Sequence, residues 1–348
     1  MSTFDERLWG PQGDRAALLR AIDHSLRYLN SDRANAAYSR QYARTGITRE
    51  RVRRSLVRFR HLVKTARTAA ELDSAVQREF LLFEPGEKSG LSTEEVHFTG
   101  YYEPVYQASL APSATYRYPL YRVPAGFSRW KRPHPNRAEL EGKDGLQGAR
   151  GPLRGSELVY LRSRLEAFLI QVQGSARLQM TDGRTLTVGY ADHTDHPYTS
   201  VGRQLVKDGK IPEEKLTLQA LKAYFHAYPQ DLDEYLPRNQ GFVFVRLTRG
   251  APATGSIGAP VTAERSIATD KAWMPPGAIA LIQVNIANPT AVAVLKTDVL
   301  TRYVLDQDIG SAIKGPRRVD IFMGSGPLAE ARAGVINSRG RLYYLLLK

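Results

Sequence analysis

The chain has 348 residues, a net charge of +14 and a pI near 9.9, with 42% apolar and 24% charged residues. That is ordinary globular composition, long enough for two separate cores. No run approaches the roughly 20 apolar residues of a bilayer-spanning helix. The absence of cysteine removes disulfides, thiolate nucleophiles and cysteine zinc sites. The stretch from Met1 to Asp14 is polar and has no apolar h-region, so no signal peptide is read there. The basic balance admits a polyanionic partner (nucleic acid, an anionic membrane surface or an acidic polymer) or simply a solvated surface.

The chain opens with helices. Leu18, Leu19, Ile22, Leu26 and Leu29 form one apolar stripe at helical spacing between Asp14 and Leu29. After Thr48, Val52, Leu56, Phe59 and Val63 form a second, crowded by Arg49, Arg51, Arg53, Arg54, Arg58 and Arg60. Such arginines suit a nucleic-acid helix, but more commonly lie along a helix with their stems packed and their heads in water. Thr68-Ala69-Ala70-Glu71 is a capping-box pattern opening a third helix through Phe80.

Beyond Pro85-Gly86 the texture becomes β-like. Strands are expected at Val96 to Tyr102, within Tyr116 to Val123, and at Ala167 to Gln173. Arg177 to Met180 pairs with Thr185 to Tyr190 through a turn at Asp182-Gly183. Helices are expected from Thr199 to Gly209 and from Thr217 to Tyr228, then a strand from Phe242 to Leu247. The last hundred residues read as strands at Ile279 to Ile286, Ala291 to Leu295, Arg318 to Phe322 and Arg341 to Leu347. Their short spacing fits a small closed barrel.

The chemistry rests on carboxylates. The histidines make no helical ligand spacing, and Asp192, His193, Asp195 and His196 form only a weak loop candidate for a metal. No phosphate-binding loop, dinucleotide fingerprint or nucleophile turn occurs, so neither metal nor cofactor is expected. Asp308 precedes a small-residue turn, Ile309-Gly310-Ser311. Asp320 sits in an apolar strand between Val319 and Ile321, and strand alternation puts it on the face that neither neighbour occupies. If that face is a partly buried wall, desolvation raises its pKa toward what a general acid needs. If it is an edge, Asp320 is merely solvated. The residues alone leave both open.

Four motifs in order resemble the membrane-bound lytic transglycosylase A family. They are Phe98-Thr99-Gly100-Tyr101-Tyr102-Glu103-Pro104, Phe168-Leu169-Ile170-Gln171-Val172-Gln173-Gly174-Ser175, His196-Pro197-Tyr198-Thr199-Ser200-Val201-Gly202-Arg203, and a three-aspartate pattern at Asp270, Asp308 and Asp320. The sequence departs from the family in the turn after Asp308 and at Met274-Pro275-Pro276-Gly277.

The resemblance implies a mainly β fold with N-terminal helices. Residues 1–103 and 241–348 would form a discontinuous double-psi β-barrel domain, and 104–240 a smaller β-rich insertion, with the glycan in a groove between them. It also implies a peptidoglycan lytic transglycosylase that leaves a 1,6-anhydromuramic end. Asp320 would be its acid/base carboxylate and Asp308 would orient or tune the site. Thr99, Gly100, Tyr101, Gln173, Ser175 and Lys314 would contact substrate, with Asp270 and Arg265 in support. The expected partners are peptidoglycan glycan strands and no nucleic acid. The protein is expected to be a monomer, periplasmic or wall-associated, and peripheral to the wall or outer membrane. A true glycoside hydrolase on the same fold, or a non-catalytic wall-binding module, is the alternative.

Overall fold

The computed structural model describes residues 5, 7–10, 13–42, 47–84, 95–287 and 297–348. In chain order the elements are α1 (Arg15–Leu29), α2 (Asp32–Gln41), α3 (Arg49–Thr65), α4 (Ala69–Glu79), β1 (Phe80–Phe83), β2 (Val96–Glu103), β3 (Val105–Ser109) and β4 (Tyr118–Tyr121). There follow α5 (Arg137–Glu141), β5 (Glu157–Leu161), α6 (Arg164–Gln173), β6 (Ser175–Met180), β7 (Thr185–His193), α7 (Val201–Lys207), α8 (Leu218–Ala227), α9 (Leu232–Tyr235) and β8 (Val243–Leu247). The chain ends with β9 (Ser266–Ala268), β10 (Ile279–Ala287), β11 (Thr297–Asp308), β12 (Arg318–Ser325), α10 (Pro327–Ala333) and β13 (Asn337–Leu347). It divides into two compact units. One comprises 1–101, 254–324 and 335–348; the other comprises 102–253 and 325–334. Relative to the expected bounds, the second unit therefore also takes β8 and α10.

In the first unit the strands run β13-β10-β11-β9-β12-β2, and β2 pairs back onto β13, closing a six-stranded barrel; β1 adds to β13 from outside the ring. Closure leaves no free edge among these six. Residues 279–282 on β10 are all buried, because that strand is covered on both faces and its sequence is correspondingly apolar without alternation. Helices α1 and α3 supply one cover. Phe59 of α3 packs on Tyr303 at 4.7 Å, and Gln307 reaches the Ala21 carbonyl of α1.

Helices α2, α3 and α4 each begin at a polar side chain that takes up one of the unpaired N–H groups of the first turn, Ser31 doing so for α2. Thr48 caps α3 and Thr68 caps α4. Glu71 does not complete a reciprocal box with Thr68; its carboxylate accepts from the Arg67 N–H instead. Several of the α3 arginines are bonded within the chain, at part-exposed positions. Arg51 donates to the Leu347 carbonyl, Arg58 pairs with Glu79, Arg60 with Asp23, and Arg53 with Glu50. Helix α2 and the long strand β11 were not anticipated. The strand expected at 291–295 lies outside the described residues.

In the second unit six strands run β4-β5-β3-β6-β7-β8. The segment Ala167 to Gln173, expected as a strand, is helix α6. Ser163 caps its start and Gly174, at φ +80°, ends it. The misreading has a physical cause, because α6 is buried on both sides. Ala167 and Ile170 pack on the sheet with Val159, Leu178 and Val245. Leu165, Phe168 and Leu169 pack on the opposite side with Leu205, Phe225 and Leu236. An apolar run with two buried faces carries no helical period to read.

Candidate active site

The register of three adjacent barrel strands builds the site. In β12, Val319 and Ile321 are buried in the core while Asp320 between them is half-buried. Asp320 lies opposite Ala268 of β9, and on the other side of β9 Asp308 of β11 is also opposite Ala268. Directly opposed residues share a face. Asp308 and Asp320 therefore flank one alanine methyl on a common face, with Cα atoms about 10 Å apart at normal strand spacing. Since β12 is held between β9 and β2, Asp320 is not an edge residue facing bulk water.

A bulge makes this possible. Asp306 pairs with Ile267, but Asp308 pairs with the next residue, Ala268, so Gln307 is the extra residue. Without it, Asp306 and Asp308 would point the same way. With it, Asp306 shares the buried face of Ile267 and Ile321, and Asp308 joins Ala268 and Asp320. Gln307 is fixed by the Ala21 carbonyl at 2.8 Å, Ser25 at 2.9 Å and Ser266 at 2.6 Å.

Strand β2 supplies the partners. The Thr99 hydroxyl donates to Asp320 Oδ1 at 2.9 Å, and the Tyr101 hydroxyl donates to Asp308 Oδ2 at 2.9 Å. The Tyr101 ring lies 5.2 Å from that of Phe322, which alternation places on the same face as Asp320. To reach β11 from β2 the ring spans β12 and β9, which accounts for the burial of Ala268. The other oxygen of Asp308 accepts from the Ser256 N–H at 2.8 Å and the Ile309 N–H at 2.9 Å.

These surroundings separate the two carboxylates chemically. Burial pushes the Asp320 pKa up to about 6; the Thr99 hydrogen bond and Arg318 oppose the rise, and the charge of Asp308 adds to it. Burial also raises that of Asp308, opposed by its bonds to Ile309, Tyr101 and Ser256 and by Lys271. Both oxygens of Asp308 are thus engaged in hydrogen bonds.

Similarity to known proteins follows the same regions. Residues 97–246 match the model of the MltA specific insert domain and residues 265–346 that of the 3D domain. Membrane-bound lytic murein transglycosylase A of Vibrio cholerae is 32% identical over 265 residues, 76% of this chain and 67% of that protein. The Escherichia coli K12 protein of the same name is 32% identical over 253 residues, 72% of this chain. The chain spans 65% of that relative's length, just under two thirds. The crystal structure of E. coli MltA with bound chitohexaose superposes with a TM-score of 0.74 at 25% identity, covering 96% of this chain and 90% of that one. The chain belongs to the membrane-bound lytic murein transglycosylase A family.

The MltA-type barrel sorts the other candidates. Asp270 does not join the other two aspartates as a third site carboxylate. Its Oδ2 accepts from the Gly315 N–H at 2.8 Å and its Oδ1 from the Ala272 N–H at 3.0 Å, tying two loops together. The third aspartate on these strands is Asp306, which is fully buried. Arg265, also fully buried, pairs with Asp5 and Asp14 and donates to the Tyr303 carbonyl, so it is a packing cation that anchors the N-terminal segment. Lys314 is exposed and bonds to no described residue. The ammonium that reaches the aspartate strand is that of Lys271, bonded to Asp306 and to the Asp308 carbonyl.

Gly100 is half-buried on β2 between Thr99 and Tyr101. Gln173 and Ser175 belong to the second unit, at the junction of α6 and β6, where Gln173 Oε1 accepts the Tyr102 N–H at 3.0 Å. In the segment from Asp192 to His196, Asp195 accepts the His134 N–H and His196 meets the His134 carbonyl. Among the described residues no group of three or more acidic or histidine side chains could hold a metal ion.

Asp306, Lys271 and Gln307 were missed as site residues. Asp306-Gln307-Asp308 stands out as a polar triplet ending an apolar strand, but nothing in a single sequence marks which residue of it is the bulge.

Proposed function

We propose that this chain is a peptidoglycan lytic transglycosylase, with Asp320 as its single general acid and base. The observation that carries the reading is the pairing of a carboxyl held at about 6 with a neighbour, Asp308, whose oxygens are already bonded. Protonated Asp320 gives its proton to the glycosidic oxygen as the bond from muramic acid C1 breaks. The carboxylate so formed takes the proton of the 6-hydroxyl of the same muramic acid, whose oxygen closes on C1. The products are a 1,6-anhydro end and a new 4-hydroxyl on the leaving N-acetylglucosamine, and Asp320 is again protonated.

A hydrolase needs a second carboxylate free to activate water or attack carbon, and the bonded state of Asp308 argues against that role. An intramolecular nucleophile makes it unnecessary. The glycan substrate is supported by the hexasaccharide bound to the E. coli relative. In this reading Thr99, Gly100, Tyr101, Gln173 and Ser175 contribute to glycan contacts, Asp308 tunes Asp320, Asp270 supports the loops and Arg265 anchors the N-terminal segment. Lys314, exposed, is free to meet a substrate carboxylate. The protein acts as a monomer in the cell envelope, on the periplasmic face where its substrate lies, and associates peripherally with the wall or outer membrane.

Mass spectrometry of muropeptides released by the purified protein tests this. Anhydro ends, each one water lighter than a reducing end, are expected. Reducing ends would assign a hydrolase, and no release would assign a wall-binding module.

A further inference from the structure

The Gln307 bulge decides where Asp308 points, yet its side-chain hydrogen bonds run to α1 and β9, and its carbonyl accepts the Ile257 N–H. Two residues span the bulge from Asp306 to Asp308: Thr269, whose hydroxyl donates to the Asp306 carboxylate and whose N–H donates to the Asp308 carbonyl at 3.1 Å, and Lys271. The Lys271 ammonium donates to the Asp306 carboxylate inside the barrel, to Thr269 Oγ1 at 2.8 Å and to the Asp308 carbonyl at 2.5 Å. Three protons meet three acceptors, which saturates the group. Asp306 is itself locked by Tyr344 at 2.6 Å and Thr269 at 2.8 Å. The turn carrying Lys271 is held from behind, because the Tyr42 hydroxyl lies within hydrogen-bond reach of both the Lys271 and Met274 carbonyls and shares its one proton between them. A lone surface ion pair would need none of this.

We propose that Lys271 is a positioning residue for the reaction: by tying the two ends of the β11 bulge together it keeps Asp308 turned onto the face of Asp320. The proposal rests on Asp320 being the acid and base. Removing the clasp lets the bulge relax, and Asp308 drifts from its place beside Ala268. Two consequences have opposite signs in the pH profile and so can be told apart. If aim is lost, the repulsion that Asp308 exerts on Asp320 falls and the alkaline limb of kcat/KM moves to lower pH. If Lys271 acts only through its charge, its removal leaves Asp308 in place and strengthens the local negative field, so the limb moves to higher pH. The groups facing this centre are Thr99, Tyr101, Arg318, Asp306, Asp308, Thr269 and Tyr344, all unchanged in the variants below.

The test uses Lys271→Met, similar in length and uncharged, with Lys271→Gln as a shorter donor in case the first does not fold. Digestion of soluble glycan is followed from pH 4 to 8, with thermal melting to verify folding. The expected result is a fall in kcat on the order of 10- to 100-fold, little change in KM, and an alkaline limb displaced downward, less for the glutamine variant. A limb that is unmoved or displaced upward in the folded variants overturns the positioning role. Asp320→Asn run alongside keeps the two readings apart. Wild-type cleavage by that variant overturns the acid/base assignment and removes the basis of the proposal. Loss of cleavage there with an unmoved limb for Lys271→Met overturns the proposal alone.

Discussion

In the second unit Arg137 and Arg164 are buried to 2% and 4% exposure, and both reach Glu141. Asp233 takes a further bond from Arg164, so two cations meet two anions. Arg137 also donates to Gln171 at 2.6 Å and to the Gly241 carbonyl at 2.8 Å, and its guanidinium lies about 5 Å from the rings of Phe168 and Phe242. The barrel handles buried charge differently. Asp306, Asp308 and Asp320 crowd the two strands on either side of β9, and among the described residues the cation bonded to their carboxylates is Lys271, through Asp306. The first cluster is balanced in charge; the second carries more acid than cation. A balanced cluster specifies packing, whereas an unbalanced one holds a proton that can be moved.

The sharpest way to break this contrast is to remove the movable proton. Asp320→Asn keeps the shape and the Thr99 bond but cannot donate or accept the proton. Wall cleavage should fall by about three orders of magnitude or more, with melting behaviour retained. A folded variant with wild-type rates would place the chemistry elsewhere.

The converse change strikes the balanced cluster. Glu141→Gln leaves two buried guanidinium groups short of one charge, and breaking a buried pair costs about 3 kcal/mol or more. Denaturant unfolding should report this loss, while kcat of the remaining folded protein stays near wild type. If activity fell instead with stability unchanged, the division of roles between the two clusters would be wrong.

The pH dependence follows from the Asp320 value of about 6. Cleavage begins with the protonated acid, so kcat/KM should be flat below pH 6 and fall about tenfold per unit above it. The sign for stability can also be worked out. An unfolded aspartate releases its proton near pH 4, whereas folded Asp320 keeps it to about 6. Ionisation therefore costs the native state stability above that window, and the cost is absent below pH 4. Asp320→Asn should accordingly be more stable than wild type at pH 7, by up to about 2 kcal/mol, with the difference closing near pH 4. Melting curves at the two pH values check this.

The two clusters also differed in how far they could be read beforehand. Asp320 was legible because alternation alone separates it from Val319 and Ile321, and its pairing with Asp308 came from the motif resemblance. The Gln307 bulge was not legible, since it depends on what α1 offers from almost 300 residues away, and so the burial of Asp306 and the role of Lys271 stayed hidden behind Lys314. In the second unit the hairpin at Asp182-Gly183 was visible through Gly183, which takes φ +84°. Helix α6 was not, because burial on both sides erased its period. Local chemistry writes turns and alternation into the sequence; a bulge or a doubly buried helix is written by partners distant in the chain.

The smallest expected effect concerns the charges left outside both clusters. A net charge of +14 suggests long-range attraction to the carboxylates of peptidoglycan stems. The ion pairs of Arg58, Arg60, Arg137, Arg164 and Arg265 are already counted in that net figure, so the excess is carried by the other basic groups. What remains on the surface is screened over about 8 Å at physiological salt. Raising salt from 50 to 300 mM should therefore weaken binding to isolated walls only several-fold and slow digestion of the insoluble polymer to match. A soluble glycan without stem peptides offers no such carboxylates, so its cleavage by the same protein should barely change. Nucleic acid would behave otherwise, because release of condensed counterions gives a steep linear dependence of log affinity on log salt. Binding isotherms for walls, the short glycan and a duplex across one salt series compare the three. A steep slope with duplex and none with walls would assign the surface charge to nucleic acid; a shallow slope confined to walls would leave it as a weak guide toward an acidic polymer.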